Sequence, residues 1–104
     1  MKIEKRIENS DAGGNSEVTL LLDGRFGSST ASDVENAVNE VLPHCRKLVF
    51  DFSKVDYISS AGLRVLLMAK KKLGASAPVT VCNANSVVKE IFDISGFSQI
   101  LQVQ

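Results

Sequence analysis

The stretch Leu48-Val49-Phe50-Asp51-Phe52-Ser53-Lys54-Val55-Asp56-Tyr57-Ile58-Ser59-Ser60-Ala61-Gly62-Leu63-Arg64-Val65-Leu66-Leu67 decides the fold. It opens on a dense apolar run of strand length, closed by Asp51 and suited to the middle of a sheet. A loop carrying Asp56 follows, and then a predicted helix from Ala61 to Leu73, terminated by Gly74. Lys70, Lys71 and Lys72 stand near its C-terminal end, where the helix dipole favours positive charge. The next strand, Val79 to Cys82, lies beyond that helix, and a strand-helix-strand order implies a parallel crossover.

Working outward, Lys2 to Ile7 reads as a charged edge strand with Ile3 and Ile7 on one face. The turn-forming run Asn9 to Ser16 separates it from a second strand, Glu17 to Asp23, so a hairpin is expected. A loop from Gly24 to Ser29 leads into a helix whose Val34, Ala37, Val38, Val41 and Leu42 share one face. Ser32 and Glu35 have capping-box spacing at its start, and Pro43 marks its end. A third helix is predicted from Ser86 to Ile94, with Gly96 just past it, and Ile100 to Val103 as a short last strand. This order predicts an α/β fold: a mixed sheet, an initial hairpin followed by β-α alternation, with helices packed on it.

Composition narrows the function. At 104 residues the chain has room for one domain, expected over residues 1–104. An apolar share of 44% with 23% charged residues is that of a soluble globular protein. Twelve basic residues balance twelve acidic ones, so no basic excess points to nucleic acid. No window approaches the roughly 18 apolar residues of a membrane span, and the N-terminus lacks a signal peptide's apolar stretch. Cys45 and Cys82 form neither a disulfide framework nor a zinc pattern and read as small buried hydrophobes, so a cytoplasmic location is expected.

Enzyme chemistry finds little to work with. The one histidine, His44, sits beside a proline at a helix end and reads as a surface or cap residue. Ile58-Ser59-Ser60-Ala61-Gly62 lacks the leading glycine of a nucleophile elbow, and no phosphate-cradling glycine motif or metal-ligand cluster occurs. A receiver-type phospho-aspartate site would need an acidic pair after the first strand, which is missing. No catalytic residue, metal or cofactor is therefore expected.

Two adjacent serines at a helix start remain. Either could cap the helix by accepting from a free amide of its first turn, and spacing alone favours that reading. The same geometry also suits a phosphate, which would add about −1.5 to −2 charges at the positive end of the helix dipole.

The quoted stretch strongly resembles the signature of STAS domains, the anti-sigma factor antagonist family. Leu22-Asp23-Gly24-Arg25-Phe26 resembles the family's second strand and following glycine, and Val87 to Phe97 its last helix and glycine turn. The resemblance implies a binding module, not an enzyme, in a partner-switching pathway. Its implied partners are a serine kinase that doubles as anti-sigma factor, of the histidine-kinase-like ATPase fold, and a PP2C-type phosphatase. The implied phosphorylation site is Ser60, with Ser59 the lesser candidate. The implied partner surface comprises Gly24, Arg25, Asp56, Ser59, Ser60, Gly62 and Arg64. Two positions depart from the archetype: Ser59 stands where an aspartate precedes the acceptor, and Gly27 where the loop after the second strand often carries another. The alternative is a phosphorylation-independent STAS scaffold or adaptor in a larger signalling assembly.

Overall fold

The computed structural model describes residues 1–74 and 77–104. Its strands are β1 (Lys2–Glu8), β2 (Ser16–Phe26), β3 (Cys45–Ile58), β4 (Val79–Cys82) and β5 (Gln102–Val103). Its helices are α1 (Ala31–Val41), α2 (Ser60–Leu73) and α3 (Ser86–Ser95), and short 3-10 turns cover Leu42–His44 and Phe97–Gln99. The five strands form one sheet in chain order. The β1–β2 hairpin is antiparallel, and every later pairing is parallel, as crossover helices require.

Register explains which face is buried. Val18 and Leu20 of β2 lie beside Leu48 and Phe50 of β3, which lie beside Val79 and Val81 of β4. These side chains form one apolar cluster with Val34 and Val38 of α1, Val65 and Leu66 of α2, and Val88 and Phe92 of α3. The alternate residues, among them Thr19, Leu21, Val49 and Asp51, are only half-buried on the opposite face. Phe52 ties the far end together, with ring centroids 6.2 Å from Phe26 and 6.1 Å from Phe92.

Several sequence expectations are corrected. Gly24, Arg25 and Phe26 are not loop but the end of β2, paired with Val55, Tyr57 and Ile58. Asp56 correspondingly lies within β3, and Asp51 sits mid-strand instead of closing it. Register shifts around Asp23 and Gly24, with Gly24 at φ 119°, let pairing resume beyond an irregularity that reads as a break in the sequence. No Ser32–Glu35 capping box forms: α1 starts at Ala31, with Thr30 at its N-cap position. The Thr30 hydroxyl instead donates to the Arg25 carbonyl at 2.7 Å and accepts from the Gly27 N–H at 2.9 Å. Cys45 and Cys82 are half-buried, not buried, because each sits at a strand end. The 3-10 turn at Phe97–Gln99 shortens the last strand to two residues. Among the described residues, no helix is long and apolar enough to cross a membrane.

Candidate functional site

The ends of β2 and β3 build the site. Arg25 pairs with Tyr57 and Phe26 with Ile58, so the two strands finish level with each other. The Ser59 N–H then donates to the Phe26 carbonyl at 3.0 Å, prolonging the ladder by one bond. Ser59 keeps an extended backbone (φ −98°, ψ 176°), and the Leu63 N–H donates to its carbonyl at 3.0 Å, opening α2.

The two serines are thereby given different surroundings. Ser59 occupies the N-cap position, yet its side chain makes no capping hydrogen bond. Its Oγ is buried and, among the described residues, is the buried side-chain oxygen or nitrogen left without a partner. Ser60 is the first residue of the helix and is exposed. The expected serine cap is thus absent. The amides of Ser60, Ala61 and Gly62 precede the first intrahelical donor, Leu63, and no side chain caps them.

Gly62 sets how closely α2 approaches the sheet. A Cβ there would lie 2.7 Å from Ile58 Cγ1 and 2.9 Å from the Phe26 carbonyl oxygen. Gly62 is buried, so it serves the surface only by letting the helix N-terminus seat against β2.

Around Ser60 the surface is mixed. The Arg25 guanidinium lies 4.6 Å from the centroid of the Tyr57 ring, a cation–π contact. Asp56 is exposed on β3. Its carbonyl accepts from Asn85 Nδ2 at 3.2 Å, and Val55's carbonyl accepts from the same amide at 3.3 Å. The Asn85 Oδ1 accepts from the Val88 N–H at 2.8 Å, so one side chain caps α3 and holds the end of β3. Arg64 is exposed four residues after Ser60 and therefore on the same helical face. It helps line an open groove between α1 and α2 with Ala31, Glu35, Ala61 and Met68. Gly27 leaves room beside this cluster: a Cβ there would stand 3.8 Å from both Arg25 Nε and Ser59 Oγ.

The structure thus gathers Arg25, Ser59 and Ser60 at one end of the sheet. Gly24 is set back within β2, and Asp56 lies two residues before Ile58 ends β3. Sequence reasoning missed Tyr57, Thr30 and Asn85 as supports of this corner. Only Asn85 carried a readable signal, an asparagine directly before a helix.

Partial burial pushes Asp51 up, but the Ser53 N–H (2.9 Å) and hydroxyl, Asn83 Nδ2 (3.3 Å) and nearby Arg6 together hold it below the usual carboxylate value. Burial raises the Cys45 and Cys82 thiols, helped at Cys82 by the charge of Asp51. Among the described residues, no group of three His, Cys, Asp or Glu side chains could hold a metal ion.

A five-stranded mixed sheet packed against three helices is the fold of STAS domains. The chain belongs to this family: the family model described as "Mlab, STAS domain" matches residues 10–102. Members are regulatory binding proteins rather than enzymes. Over 84 residues the chain is 38% identical to BtrV of Bordetella bronchiseptica, named as a candidate anti-sigma factor antagonist, covering 79% of this chain and 72% of that one. The crystal structure of an anti-sigma factor antagonist from Mycobacterium paratuberculosis matches at TM-score 0.76 and 25% identity, over 98% of this chain and 85% of that one. SpoIIAA, a Bacillus anti-sigma factor antagonist, shares the fold in its unphosphorylated form at TM-score 0.75 and 10% identity, over 99% and 87% of the two chains.

Proposed function

We propose that residues 1–104 form one STAS domain that binds a cytoplasmic serine kinase/anti-sigma factor and is switched by phosphorylation of Ser60. The relative BtrV is named for opposing anti-sigma factors, which supports a partner of that class. A partner of the histidine-kinase-like ATPase fold would transfer the γ-phosphoryl group of ATP to Ser60 Oγ. The P–O bond to ADP breaks, and the serine proton leaves with a base of the kinase. A PP2C-type phosphatase would hydrolyse the ester and restore the binding form.

The observation that carries this reading is the division between the serines. Ser60 is exposed on the first turn of α2, whereas the neighbouring Ser59 hydroxyl is buried. A kinase can reach the first without unfolding the corner. Open amides and the positive end of the α2 dipole would accommodate the phosphate, so the fold need not be lost. The surface offered to the partner is Arg25, Asp56, Ser60 and Arg64, with Gly24 and Gly62 shaping the backbone beneath. A phosphate of about −1.5 to −2 charges in that contact opposes binding by desolvation and like-charge repulsion.

Intact mass after incubation with ATP and the cognate kinase tests this, for the native chain, Ser60→Ala and Ser59→Ala. One added phosphate on the native chain and Ser59→Ala but not on Ser60→Ala, with loss of kinase binding, is expected. Labelling of Ser60→Ala would move the acceptor. Tight binding with no labelling would replace the switch by a phosphorylation-independent scaffold.

A further inference from the structure

β1 forms one edge of the sheet, and its outer backbone groups pair with no strand among the described residues. Edge strands are commonly protected by charge, and β1 carries five charged residues out of seven. Ile7, however, is 61% exposed on that edge. It shares its face with Ile3 and Lys5, opposite Val18, Leu22 and Leu20 of β2.

Reading β1 against its own reversed sequence shows how the charges are placed. In an antiparallel pair centred on Lys5, Lys2 faces Glu8, Ile3 faces Ile7, and Glu4 faces Arg6 of the other copy. Every off-axis pair is then opposite in charge or apolar with apolar. Lys5 alone meets itself, and its ammonium is already engaged by Glu40 of its own α1. Other registers lose this match. A one-residue slip sets Lys2 against Ile7 and Ile3 against Arg6, or Lys5 against Arg6 and Ile3 against Glu8. A two-residue slip sets Lys2 against Arg6, or Glu4 against Glu8. The matched register also keeps helix-side residues opposite helix-side residues, so the sheet continues across the two-fold axis with both helix layers on one side.

We propose that β1 is a homodimerisation edge, through which two copies of this chain join into a continuous ten-stranded sheet in the Lys5-centred register. Seven residues a side make a small interface, so the dimer is expected to be weak and concentration-dependent. This edge is separate from the Ser60 corner, and the inference stands without the proposed switch.

Sedimentation velocity of the full chain over a concentration series tests it, with Glu4→Arg, Arg6→Glu and the double exchange Glu4→Arg/Arg6→Glu. Residues 4 and 6 directly oppose the uncharged Leu21 and Thr19 within the chain, but Arg6→Glu also removes a positive charge near Asp51 and sits diagonal to Glu17. Circular dichroism and urea denaturation therefore check each fold, and Glu4→Arg is the cleaner of the two single reversals. Either single reversal sets like charges against each other twice across the axis and should weaken association about tenfold. The double exchange restores opposite pairs at both positions and should return association to near the native value. Native association should also weaken between about 10 mM and 1 M salt as the screening length falls from about 30 to 3 Å. A native chain that stays monomeric at every concentration overturns the proposal. So does a dimer indifferent to the single reversals, or one that the double exchange fails to rescue.

Discussion

The carbonyl oxygen of Phe26 lies 2.9 Å from where a Cβ on residue 62 would stand, and the same oxygen accepts the Ser59 N–H at 3.0 Å. Gly62 and Phe26 thus meet backbone to backbone, and the end of β2, the serine pair and the first turn of α2 are locked into one corner. Helix placement here is set by the absence of a side chain.

Gly62→Ala should therefore disturb the corner although alanine is the better helix former. Both the Ile58 side chain and the Phe26 carbonyl would have to shift, a loss of about 1–3 kcal/mol by urea denaturation. Gly27→Ala is the contrasting case. Its Cβ would make only ordinary contacts at 3.8 Å, and stability should change by less than about 0.5 kcal/mol.

Asn85 joins two elements, so its loss should exceed that of a simple cap. Asn85→Ala removes the acceptor for Val88 and the donor to two β3 carbonyls, for an expected loss of about 1–3 kcal/mol. Asn85→Asp keeps the acceptor but turns negative charge on the Val55 and Asp56 carbonyls. It should remain less stable than native at neutral pH, measured in the same way.

The serine pair should respond differently to a carboxylate. Ser60→Asp places negative charge at an exposed first-turn position, and stability should hold or rise by about 0.3–1 kcal/mol. Ser59→Asp sets its carboxylate at the N-cap position, where it can accept from the uncapped first-turn amides. It should gain about 0.5–2 kcal/mol that added salt screens less than the exposed charge at residue 60. Thermal unfolding of the two variants at low and high salt distinguishes them.

Asp51 gives stability a definite pH dependence. Its folded value lies below the ordinary 3.8, so its contribution is present above pH 3.8 and is lost as pH falls through the lower folded value. Asp51→Asn should have a smaller loss of unfolding free energy than the native chain between pH 6 and strongly acidic solution. Parallel urea titrations at the two pH values check this, and equal losses would reject it.

Much of this protein was legible in its sequence because its signals are local and periodic. The apolar face of α1 shows in Val34, Ala37, Val38 and Val41, all buried. The run from Leu48 to Phe52 announces a covered central strand, and Ser59-Ser60-Ala61-Gly62 marks the turn into α2. Tertiary structure alone decided the rest. Gly24 reads as a loop, yet a positive φ and shifted register let β2 continue to Phe26, because pairing with β3 satisfies backbone groups that no local pattern reveals. Ser32 and Glu35 have the spacing of a capping box, but the chain enters α1 from Thr30, whose hydroxyl is held by the β2 end. Most of all, nothing in two consecutive serines says which one faces solvent. That follows from the Ser59 N–H binding Phe26 and from Gly62 admitting the helix, two contacts between segments more than thirty residues apart.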